Sequence, residues 1–331
     1  MEEEIYRVDV SVIIVNYHTE SLVVDCLRSV SEHTDNLTYE VIVADNAPDG
    51  GLEAILKRES ALGVIPPVRY IGLPENPGFG GANNEAFNVA EGKYCLCLNP
   101  DTLLLNNAIR MMYCHMERFA DCSACGGNLY HADGRRALSM RRILPGLFWE
   151  ISESLRLHPE RIRYGRSTRF NRSCRPMKAG YISGADLMLR TDLVRRLGGF
   201  SSDFFMYFEE TDLCARIHRS GYTVTSLPDP KIVHLEGKSF GENEISETKL
   251  RYYEQSRVAY YRRNVSEKKA RIAHWIYLRS LRRDSRKKGV KGKIATLRLR
   301  FAMEALEHLL PSETRHQICG EDVGEMRESS E

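Results

Sequence analysis

The feature that most constrains the fold is a regular alternation of strand-like and helix-like patterns through the first hundred residues. Val10 to Asn16 is an apolar run of strand length, and residues 21–31 then place apolar side chains at helical spacing. Further strands are predicted at 40–44, 68–71 and 94–98, and further helices at 52–58 and 82–90. Strands that alternate with helices pair in parallel, with the helices as crossovers. The sequence therefore predicts an α/β fold built on a doubly wound sheet.

Polar or glycine-rich segments follow four of these predicted strands. They are Asn16-Tyr17, Asp45-Asn46, residues 74–81 and Asn99-Pro100-Asp101. In doubly wound sheets, ligands bind outside the carboxyl ends of the strands, so these segments are expected to meet at one edge. One such segment would be an ordinary loop, but the coincidence of four favours a nucleotide-binding site.

Asn99-Pro100-Asp101 places an amide oxygen and a carboxylate after a predicted strand and, we expect, before a helix. Mg²⁺ and Mn²⁺ favour oxygen ligands and commonly keep phosphates and water as further ligands, so one or two protein carboxylates are enough. Asp101 is therefore a candidate metal ligand. The alternative for this tripeptide is a turn with an aspartate helix cap.

Residues 75–84, ENPGFGGANN, form a glycine-rich segment at the start of a predicted helix. Glycine lets the backbone approach a ligand closely, and a helix N-terminus favours negative charge. The spacing differs from the phosphate-loop and dinucleotide-binding fingerprints, and a loop that needs positive φ is the alternative. The candidate nucleotide-binding residues in these segments are Asn16, Tyr17, Asp45, Asn46, Asn76, Gly78, Gly80, Gly81, Asn83 and Asn99.

Glu209, Glu210 and Asp212 cluster at the start of a helix predicted over 209–220. Acids at this position interact favourably with the helix dipole, so helix capping alone is one interpretation. A carboxylate on a helix end can also deprotonate a sugar hydroxyl.

His234 lies on a short strand predicted at 231–235. It is a candidate ligand for a metal or a pyrophosphate, with a structural histidine as the alternative.

The remaining patterns indicate how the chain is divided. Residues 130–178 lose their periodicity and gather arginines, so we expect an irregular, mobile insertion that faces a ligand. A helix is predicted at 191–197, a strand at 222–227, and two or three helices between 246 and 310. The predicted organisation is a catalytic domain at 1–245, a basic helical extension at 246–312 and a disordered tail at 313–331.

Charge is distributed unevenly along the chain, although the net charge is only +2. Residues 262–300 are densely basic and include Trp275, which suits either an anionic membrane surface or a solvated helical face. Nucleic-acid binding is not expected, because no recognised module accompanies the charge. No apolar run approaches the roughly 20 residues that cross a bilayer, and no export signal is apparent. We therefore expect a cytoplasmic protein, with peripheral contact at the inner face of the cell membrane.

Taken in order, these segments resemble glycosyltransferase family 2, in particular the bacterial rhamnosyltransferase-like members that build surface polysaccharides. The resemblance extends from Val10 to Asn264. It is carried by VSVIIVNYHTE, Asp45-Asn46, ENPGFGGANNEAF, LCLNPDT, SGADLMLR, GGF, FFMYFEETDLCARIHRSGY and IVHLEGKS.

The resemblance implies a GT-A fold, Mg²⁺ or Mn²⁺ as cofactor, and an inverting transfer of a sugar from a nucleotide diphosphate to a saccharide or lipid-linked saccharide. Deoxythymidine diphosphate rhamnose is the donor that this subgroup implies. Asp45 matches the position that recognises the nucleobase, and Asp101 matches the last acid of the metal-binding DxD motif. His234 lies where related enzymes place a histidine near the metal, and Glu210 aligns with the general base. The acceptor-binding positions that we assign are Gly184, Ala185, Asp186 and Glu209.

Two residues depart from the family pattern. Asn99 replaces the first acid of the metal motif, and Glu210 replaces the more common aspartate, which makes Asp212 the second candidate for the base. A nucleotidyltransferase is the leading alternative, but a glycine-rich loop with a basic residue is absent after the first strand. A non-catalytic carbohydrate-binding scaffold is the other alternative, whereas a processive synthase is disfavoured because the sequence has no QxxRW element.

Overall fold

The computed structural model describes residues 7–155, 164–165, 167–235 and 246–309. The chain divides into two compact units. The first, which we call the sheet unit, comprises residues 1–143, 163–205 and 209–242. The second, which we call the helical unit, comprises residues 144–162, 206–208 and 243–331.

The helices and strands follow one another in an α/β order that changes to all-helical after the last strand. In chain order the elements are β1 (Val8–Asn16), α1 (Glu20–His33), β2 (Tyr39–Asp45), α2 (Leu52–Ala61), β3 (Val68–Gly72), α3 (Gly78–Val89), β4 (Gly92–Leu98), β5 (Thr102–Leu104), α4 (Ala108–Arg118), β6 (Cys122–Tyr130), β7 (Met140–Arg141), α5 (Leu147–Leu155), β8 (Met177–Lys178), β9 (Tyr181–Ile182), β10 (Asp186–Arg190), α6 (Thr191–Arg196), α7 (Glu209–Arg219), β11 (Thr223–His234), α8 (Glu247–Asn264), α9 (Glu267–Ser285) and α10 (Val290–Leu309).

Within the described residues, the main sheet has nine strands in the order β3-β2-β1-β4-β10-β6-β11-β5, with β8 paired to β11. β1 is parallel to β2 and β4, and its last residue, Asn16, is in register with Asp45. β10 is antiparallel to both β4 and β6, whereas β6 and β11 are parallel to each other. Because β10 reverses the direction once and β6 restores it, the carboxyl ends of β1, β2, β4, β6 and β11 share one edge. The predicted doubly wound α/β fold is confirmed as a mixed sheet.

The helices cover both faces of this sheet. Alternate residues of a strand point to opposite faces, and β1 shows this clearly. Val12 and Ile14 pack with residues of α1, α2 and α4, whereas Ile13 packs with residues of α3, α6 and α7. Burial of apolar side chains on both faces is the arrangement expected for strands that are apolar throughout.

Three local predictions differ from the structure. Helix α3 begins at Gly78, four residues earlier than predicted. Glycine has a low intrinsic helix propensity, so the sequence pattern did not include these residues in the helix. Tertiary packing, such as that of Gly80 against Phe200, holds them in the helix. Asn99-Pro100-Asp101 precedes the short strand β5 and not a helix. The two strands predicted at 222–227 and 231–235 form one strand, β11, whose register shifts between Ser226 and Lys231. The prolines in this interval cannot donate to a ladder, so they mark the irregularity without ending the strand.

The helical unit is built from α5, α8, α9 and α10. Val258 of α8, Leu278 and Leu281 of α9, and Ala302 and Leu306 of α10 form its apolar core. Within the described residues, none of the helices is both long and apolar enough to span a membrane.

The unit boundaries differ from the predicted domains in one respect. Among the described residues, 144–155 and 206–208 group with the C-terminal helices, although we expected the whole of 1–245 to form one domain. The interval 130–178 is less irregular than expected, since it contains β7, α5 and β8. Helix α5 contacts α9, and no periodicity along the chain could show that long-range pairing. The tail at 313–331 lies outside the described residues.

Candidate functional site

The ends of β1 and β2 form a buried hydrogen-bond network around Asp45. Asp45 Oδ1 accepts from Asn16 Nδ2 at 2.8 Å and from the Ala47 amide at 3.0 Å, and Oδ2 accepts from the Tyr70 hydroxyl at 2.8 Å. Asn16 Oδ1 in turn accepts from the amide of Thr19 at 3.0 Å and from its hydroxyl at 2.9 Å. The carboxylate of Asp45 is therefore fixed in direction, with about one acceptor position left of the four that a carboxylate offers.

This network changes the role that we assigned to Asn16. Asn16 is fully buried, and its amide already donates to Asp45 and accepts twice from Thr19. It orients Asp45, and nucleotide contact by Asn16 itself remains a prediction. Tyr70 was missed from the sequence because it lies in the interior of the predicted strand at 68–71. The parallel register of β2 and β3 brings it to Asp45.

The start of α3 approaches the same edge. The Asn76 side chain accepts from the Gly78 amide at 2.8 Å, and Asn46 Nδ2 donates to the Gly78 carbonyl at 3.4 Å. Gly78 has a φ of +79°, and a Cβ at this position would overlap the carbonyl oxygen of Phe205. Only glycine satisfies both the left-handed conformation and this close backbone approach. Asn76, Asn46 and Gly78 thus form one connected turn.

The other residues of this segment pack against neighbouring segments. A Cβ on Gly80 would lie 3.0 Å from Phe200 Cβ and 3.7 Å from Glu209 Cβ, and one on Gly81 would lie 2.5 Å from Pro77 Cβ. Asn83 is buried and donates to the Phe79 carbonyl at 2.9 Å. Asn84, which we did not select, binds the backbone of Phe200 through both side-chain atoms at 2.8 Å. Tyr17, by contrast, is exposed at the end of β1.

Asp101 and His234 are brought together by the pairing of β5 with the end of β11. His234 is in register with Thr102, the residue after Asp101. His234 Nε2 lies 3.2 Å from Asp101 Oδ1 and 3.4 Å from Asn99 Nδ2. Both side chains of the Asp101–His234 pair are largely buried, with side-chain exposures of 7% and 13%. Residues 236–245, which include the end of the IVHLEGKS segment, lie outside the described residues.

The Asp101–His234 pair has the chemistry and spacing of two metal ligands. Two ligands at right angles, each about 2.1 Å from an octahedral cation, are about 3.0 Å apart, close to the observed separation. Within the described residues, no three His, Cys, Asp or Glu side chains form a group that could hold a metal. These two residues therefore fit a divalent cation only if phosphate oxygens and water complete its coordination.

Ala185 and Asp186 do not line an open acceptor site, contrary to our assignment. Ala185 is buried, and its carbonyl accepts from the Asn99 amide at 3.0 Å. Asp186 is fully buried, and its Oδ2 accepts from the Gly127 amide at 2.7 Å. Burial raises the pKa of Asp186 well above its usual range, against the opposing effects of the Gly127 hydrogen bond and nearby His234. Ala185 thus holds the backbone of Asn99, and Asp186 holds that of Gly127.

Gly184, the third residue of this group, lies beside the acids at the start of α7. A Cβ on Gly184 would lie 3.5 Å from Phe79 Cε1 and 3.8 Å from Glu210 Cβ. The absence of a side chain at Gly184 leaves space next to Glu210. This position remains a prediction for acceptor binding.

Glu209 and Glu210 form a pair of adjacent carboxyl groups with no cation near them in the described residues. Burial raises the pKa of Glu210. Burial and then the charge of Glu210 raise the pKa of Glu209 well above its usual range. The Thr211 hydroxyl donates to Glu210 Oε1 at 3.2 Å. A carboxylate whose pKa is raised is a stronger base than an ordinary carboxylate.

Asp212 is engaged differently from these two glutamates. It is fully buried, and its Oδ2 accepts from Arg216 Nε at 2.8 Å. Arg216 also donates to the carbonyls of Leu197 and Gly199 at 2.8 and 2.6 Å. Asp212 therefore holds α7 to the segment before it, and this role does not leave it available as a base.

Four buried oxygen atoms at this end of the sheet have no hydrogen-bond partner within the described residues. They belong to Asn46, Asn83, Asp186 and Glu209. Buried polar atoms are nearly always hydrogen-bonded, so each one that lacks a protein partner points to a ligand or an ordered water. The strand ends, the start of α3 and the start of α7 together have the properties of a polar ligand site.

The comparisons with known proteins agree with this geometry. Residues 11–197, more than half of the chain, match the family model of Glycosyl transferase family 2. The chain is 27% identical over 236 residues to N-acetylglucosaminyl-diphospho-decaprenol L-rhamnosyltransferase of Mycobacterium tuberculosis, covering 66% of this chain and 74% of the relative. It is 23% identical over 236 residues to rhamnosyltransferase WbbL of Escherichia coli K12, covering 68% of this chain and 83% of the relative.

The fold is similar to that of the mannosyltransferase PcManGT from Pyrobaculum calidifontis, solved in complex with GDP-Man and Mn²⁺. The TM-score is 0.56 at 15% identity, over 93% of this chain and 78% of that one. The predicted GT-A fold is thereby confirmed, and the nucleotidyltransferase and scaffold alternatives are set aside by the family match. The chain belongs to glycosyl transferase family 2 and is a glycosyltransferase.

Proposed function

We propose that the protein transfers a sugar from a nucleoside diphosphate donor to a hydroxyl group of a saccharide or lipid-linked saccharide, with inversion at the anomeric carbon. The observation that carries this proposal is the placement of a metal-ligand pair, Asp101 and His234, at the sheet edge where β2 presents the fixed carboxylate of Asp45. A nucleotide-sugar site needs base recognition and diphosphate binding at one edge, and the ends of neighbouring strands would supply both.

The donor would lie across the ends of β1, β2 and β4. Asp45 has one acceptor position left and would use it for a nucleobase N–H. The connected turn of Asn46, Asn76 and Gly78 would hold the rest of the nucleotide, with the exposed Tyr17 at its side. The N-terminus of α3 favours the negative charge of the diphosphate.

Asp101 and His234 would hold Mg²⁺ or Mn²⁺, with Asn99 beside them. When bound, the cation neutralises negative charge that develops on the leaving diphosphate. PcManGT, which has a similar fold, was solved with both Mn²⁺ and GDP-Man, and this supports a divalent cation here.

Glu210 would act as the general base. It takes the proton of the acceptor hydroxyl, whose oxygen forms a bond to the anomeric carbon on the face opposite the diphosphate. The bond from that carbon to the diphosphate oxygen breaks, and the diphosphate leaves with the electron pair. Burial of Glu210 next to Glu209 keeps its pKa raised for this role, and the space at Gly184 would admit the acceptor.

We infer the donor sugar and the acceptor from the names of the relatives. Both relatives are named as rhamnosyltransferases, and the mycobacterial name includes a diphospho-decaprenol. We therefore propose rhamnose as the sugar, carried by deoxythymidine diphosphate, and a lipid-linked saccharide in surface polysaccharide assembly as the acceptor. A lipid-linked acceptor would place the protein in the cytoplasm at the inner face of the cell membrane.

The test is isothermal calorimetry of the full chain against a panel of nucleoside diphosphates, with and without Mg²⁺ or Mn²⁺. We expect one diphosphate to bind in a metal-dependent manner, and Asp101→Ala to abolish that binding. Asp25→Ala, which changes an exposed carboxylate on α1, is the matched control and should bind as the unchanged protein does. Binding that survives in Asp101→Ala, or no binding of any diphosphate with either metal, would contradict the proposed site.

A further inference from the structure

The helical unit exposes two apolar stripes on helices that lie side by side. On α5, Phe148, Ile151 and Leu155 are 59%, 37% and 59% exposed. On α9, Ile272 and Trp275 are 42% and 45% exposed. These residues recur at intervals of three or four, so each set lies along one side of its helix. Large apolar side chains that are exposed together, unlike isolated ones, indicate an interaction surface.

A groove of about 640 Å³ runs between these helices and combines apolar and cationic lining. Ile151 and Leu155 line it from α5, and Trp275 and Ile276 line it from α9. The cations that line it are Arg279, Arg282, Arg283 and Arg286. We call this surface, with the two apolar stripes, the α5–α9 face.

The positive charge of the arginines on this face is only partly compensated by carboxylates. Arg279 stacks over the Trp275 ring at 4.8 Å, and Arg283 donates to the Ser154 carbonyl at 3.1 Å and lies 3.6 Å from Asp284. Within the part of the chain that the structure describes, Arg282 and Arg286 have no carboxylate in ion-pair distance. The face therefore presents a net positive charge beside exposed apolar groups.

The arginines in the interior of the same unit, by contrast, are paired with carboxylates. Arg257 lies 2.6 Å from Glu150, and Arg298 lies 2.7 Å from Glu254. Arg257 and Arg298, which pack inside this unit, are thus each matched by a close carboxylate, whereas Arg282 and Arg286 of the α5–α9 face have none among the described residues. A solvated helical face would carry charge alone, and it would not gather the exposed tryptophan, phenylalanine and leucine of this unit.

We propose that the α5–α9 face binds the surface of an anionic phospholipid bilayer. Its arginines match lipid phosphates, and its apolar stripes can enter the boundary between headgroups and acyl chains, where tryptophan is favoured. Arginine stems cover apolar surface while their guanidinium groups stay at the phosphates. A nucleic acid would use the charge but leave the aliphatic side chains of the apolar stripes in water. The inference rests on the proposed function only in that a lipid-linked acceptor needs the enzyme at a membrane.

The experiment is sedimentation of the full chain with vesicles of phosphatidylcholine, with and without phosphatidylglycerol, at several salt concentrations. We expect binding that requires phosphatidylglycerol and weakens with salt. Arg282→Gln with Arg286→Gln should lower the affinity about 30-fold, since each cation near an anionic surface contributes about 1 kcal/mol. Lys57→Gln with Arg58→Gln, an equal charge change on exposed residues of α2, is the control and should change the affinity little.

A second pair of variants tests the apolar part. Trp275→Ala with Leu155→Ala should lower vesicle affinity about tenfold or more, because two large side chains no longer enter the bilayer boundary. Circular dichroism should show that all variants fold, and nucleoside diphosphate binding should be unchanged, which separates this proposal from the proposed function.

Three outcomes would overturn the proposal. The first is equal binding to vesicles with and without phosphatidylglycerol. The second is unchanged vesicle binding in both the arginine and the apolar variants. The third is tighter binding to single-stranded RNA than to the vesicles, or self-association that these variants abolish, either of which would assign the face to another partner.

Discussion

Glu150 and Glu254, in the helical unit, each face an arginine, whereas Glu209 and Glu210, in the sheet unit, face no cation within the described residues. Glu150 Oε1 accepts from Arg257 at 2.6 Å and from the Tyr261 hydroxyl at 2.7 Å. Glu254 Oε1 accepts from Arg298 at 2.7 Å and from the Tyr277 hydroxyl at 2.6 Å. All four carboxyl groups are largely or partly buried, so burial alone does not distinguish the two pairs.

The two pairs of carboxyl groups differ in whether a cation compensates their buried charge. A compensated carboxylate keeps its charge and ties helices together, but a compensated carboxylate is a weak base. An uncompensated carboxyl destabilises the fold and gains basicity, which is useful where a proton must be accepted. The helical unit therefore uses buried charge for structure, and we propose that the start of α7 uses it for chemistry.

The largest effect is expected for Glu210→Gln. Loss of the base should lower kcat by about 10²- to 10⁴-fold without loss of folding, since general base catalysis contributes that much. The activity of the unchanged protein should rise with pH through the raised pKa of Glu210, and the variant should lack this limb. Transfer assays over a range of pH measure both.

Asp212→Asn is the comparison for this prediction. It should lower the thermal midpoint because it weakens the bond to Arg216, with a smaller effect on kcat. An active Glu210→Gln together with a well-folded but inactive Asp212→Asn would assign the base to Asp212 and break the contrast drawn above.

Arg257→Met should have the next largest effect. It leaves Glu150 buried without its cation, which costs about 3–5 kcal/mol in the free energy of unfolding. Urea unfolding followed by circular dichroism measures this. Arg300→Met removes an exposed partner of Glu247 and should cost about 1 kcal/mol or less. Similar losses in the two variants would show that the buried pair has no special structural role.

Glu209→Gln should stabilise the protein at neutral pH, because the neutral amide removes the cost of ionising a carboxyl that burial and Glu210 keep protonated; each unit by which the pKa is raised corresponds to about 1.4 kcal/mol. The pKa of Glu209 is raised in the folded state, so its contribution is present below the unfolded pKa and is lost as pH rises toward the folded one. The stability gain of the variant should therefore shrink below about pH 4.3, the pKa of an unperturbed glutamate. Urea midpoints at acid and neutral pH test this, and a variant less stable at both would contradict it.

His274→Gln should have the smallest effect on the free energy of unfolding. The dependence of this effect on pH should be opposite to that of Glu209→Gln. His274 is buried, and Arg257 donates to its Nδ1 at 3.0 Å. Burial, and then the charge of Arg257, lower the pKa of His274 well below its usual range. Stability from neutral His274 is thus present above the unfolded pKa of about 6.5 and falls by at most about 1.4 kcal/mol per pH unit below it. The variant should flatten this acid limb, and an unchanged slope of stability against pH would argue against the assignment.

The first half of the sheet could be predicted closely from the sequence. The strand predicted at 40–44 is observed as Tyr39–Asp45, and the helix predicted at 21–31 as Glu20–His33. These elements are strongly periodic, so local pattern was enough. Helix α3 and strand β11 were predicted less well because glycine and proline lower the local signal, while packing and strand pairing hold those segments in place.

The candidate site was predicted in part. The sequence singled out Asp101, His234 and Glu210, whose roles stay predictions, and pairing of β5 with β11 brings the first two together. It could not show that Asn16, Asp186 and Asp212 are buried and already engaged, because hydrogen-bond partners distant in sequence decide that. Tyr70 and Asn84 were not identified from the sequence for the same reason.

By itself, the sequence determined the α/β class, the family and the residue types at each strand end, since periodicity and ordered motifs are local properties of the chain. Only the tertiary structure decided which carboxyl groups keep a compensating cation and which do not. It also decided that α5 joins the C-terminal helices and forms the α5–α9 face with α9. The physical reason is that burial and electrostatic compensation depend on neighbours that are close in space and distant along the chain.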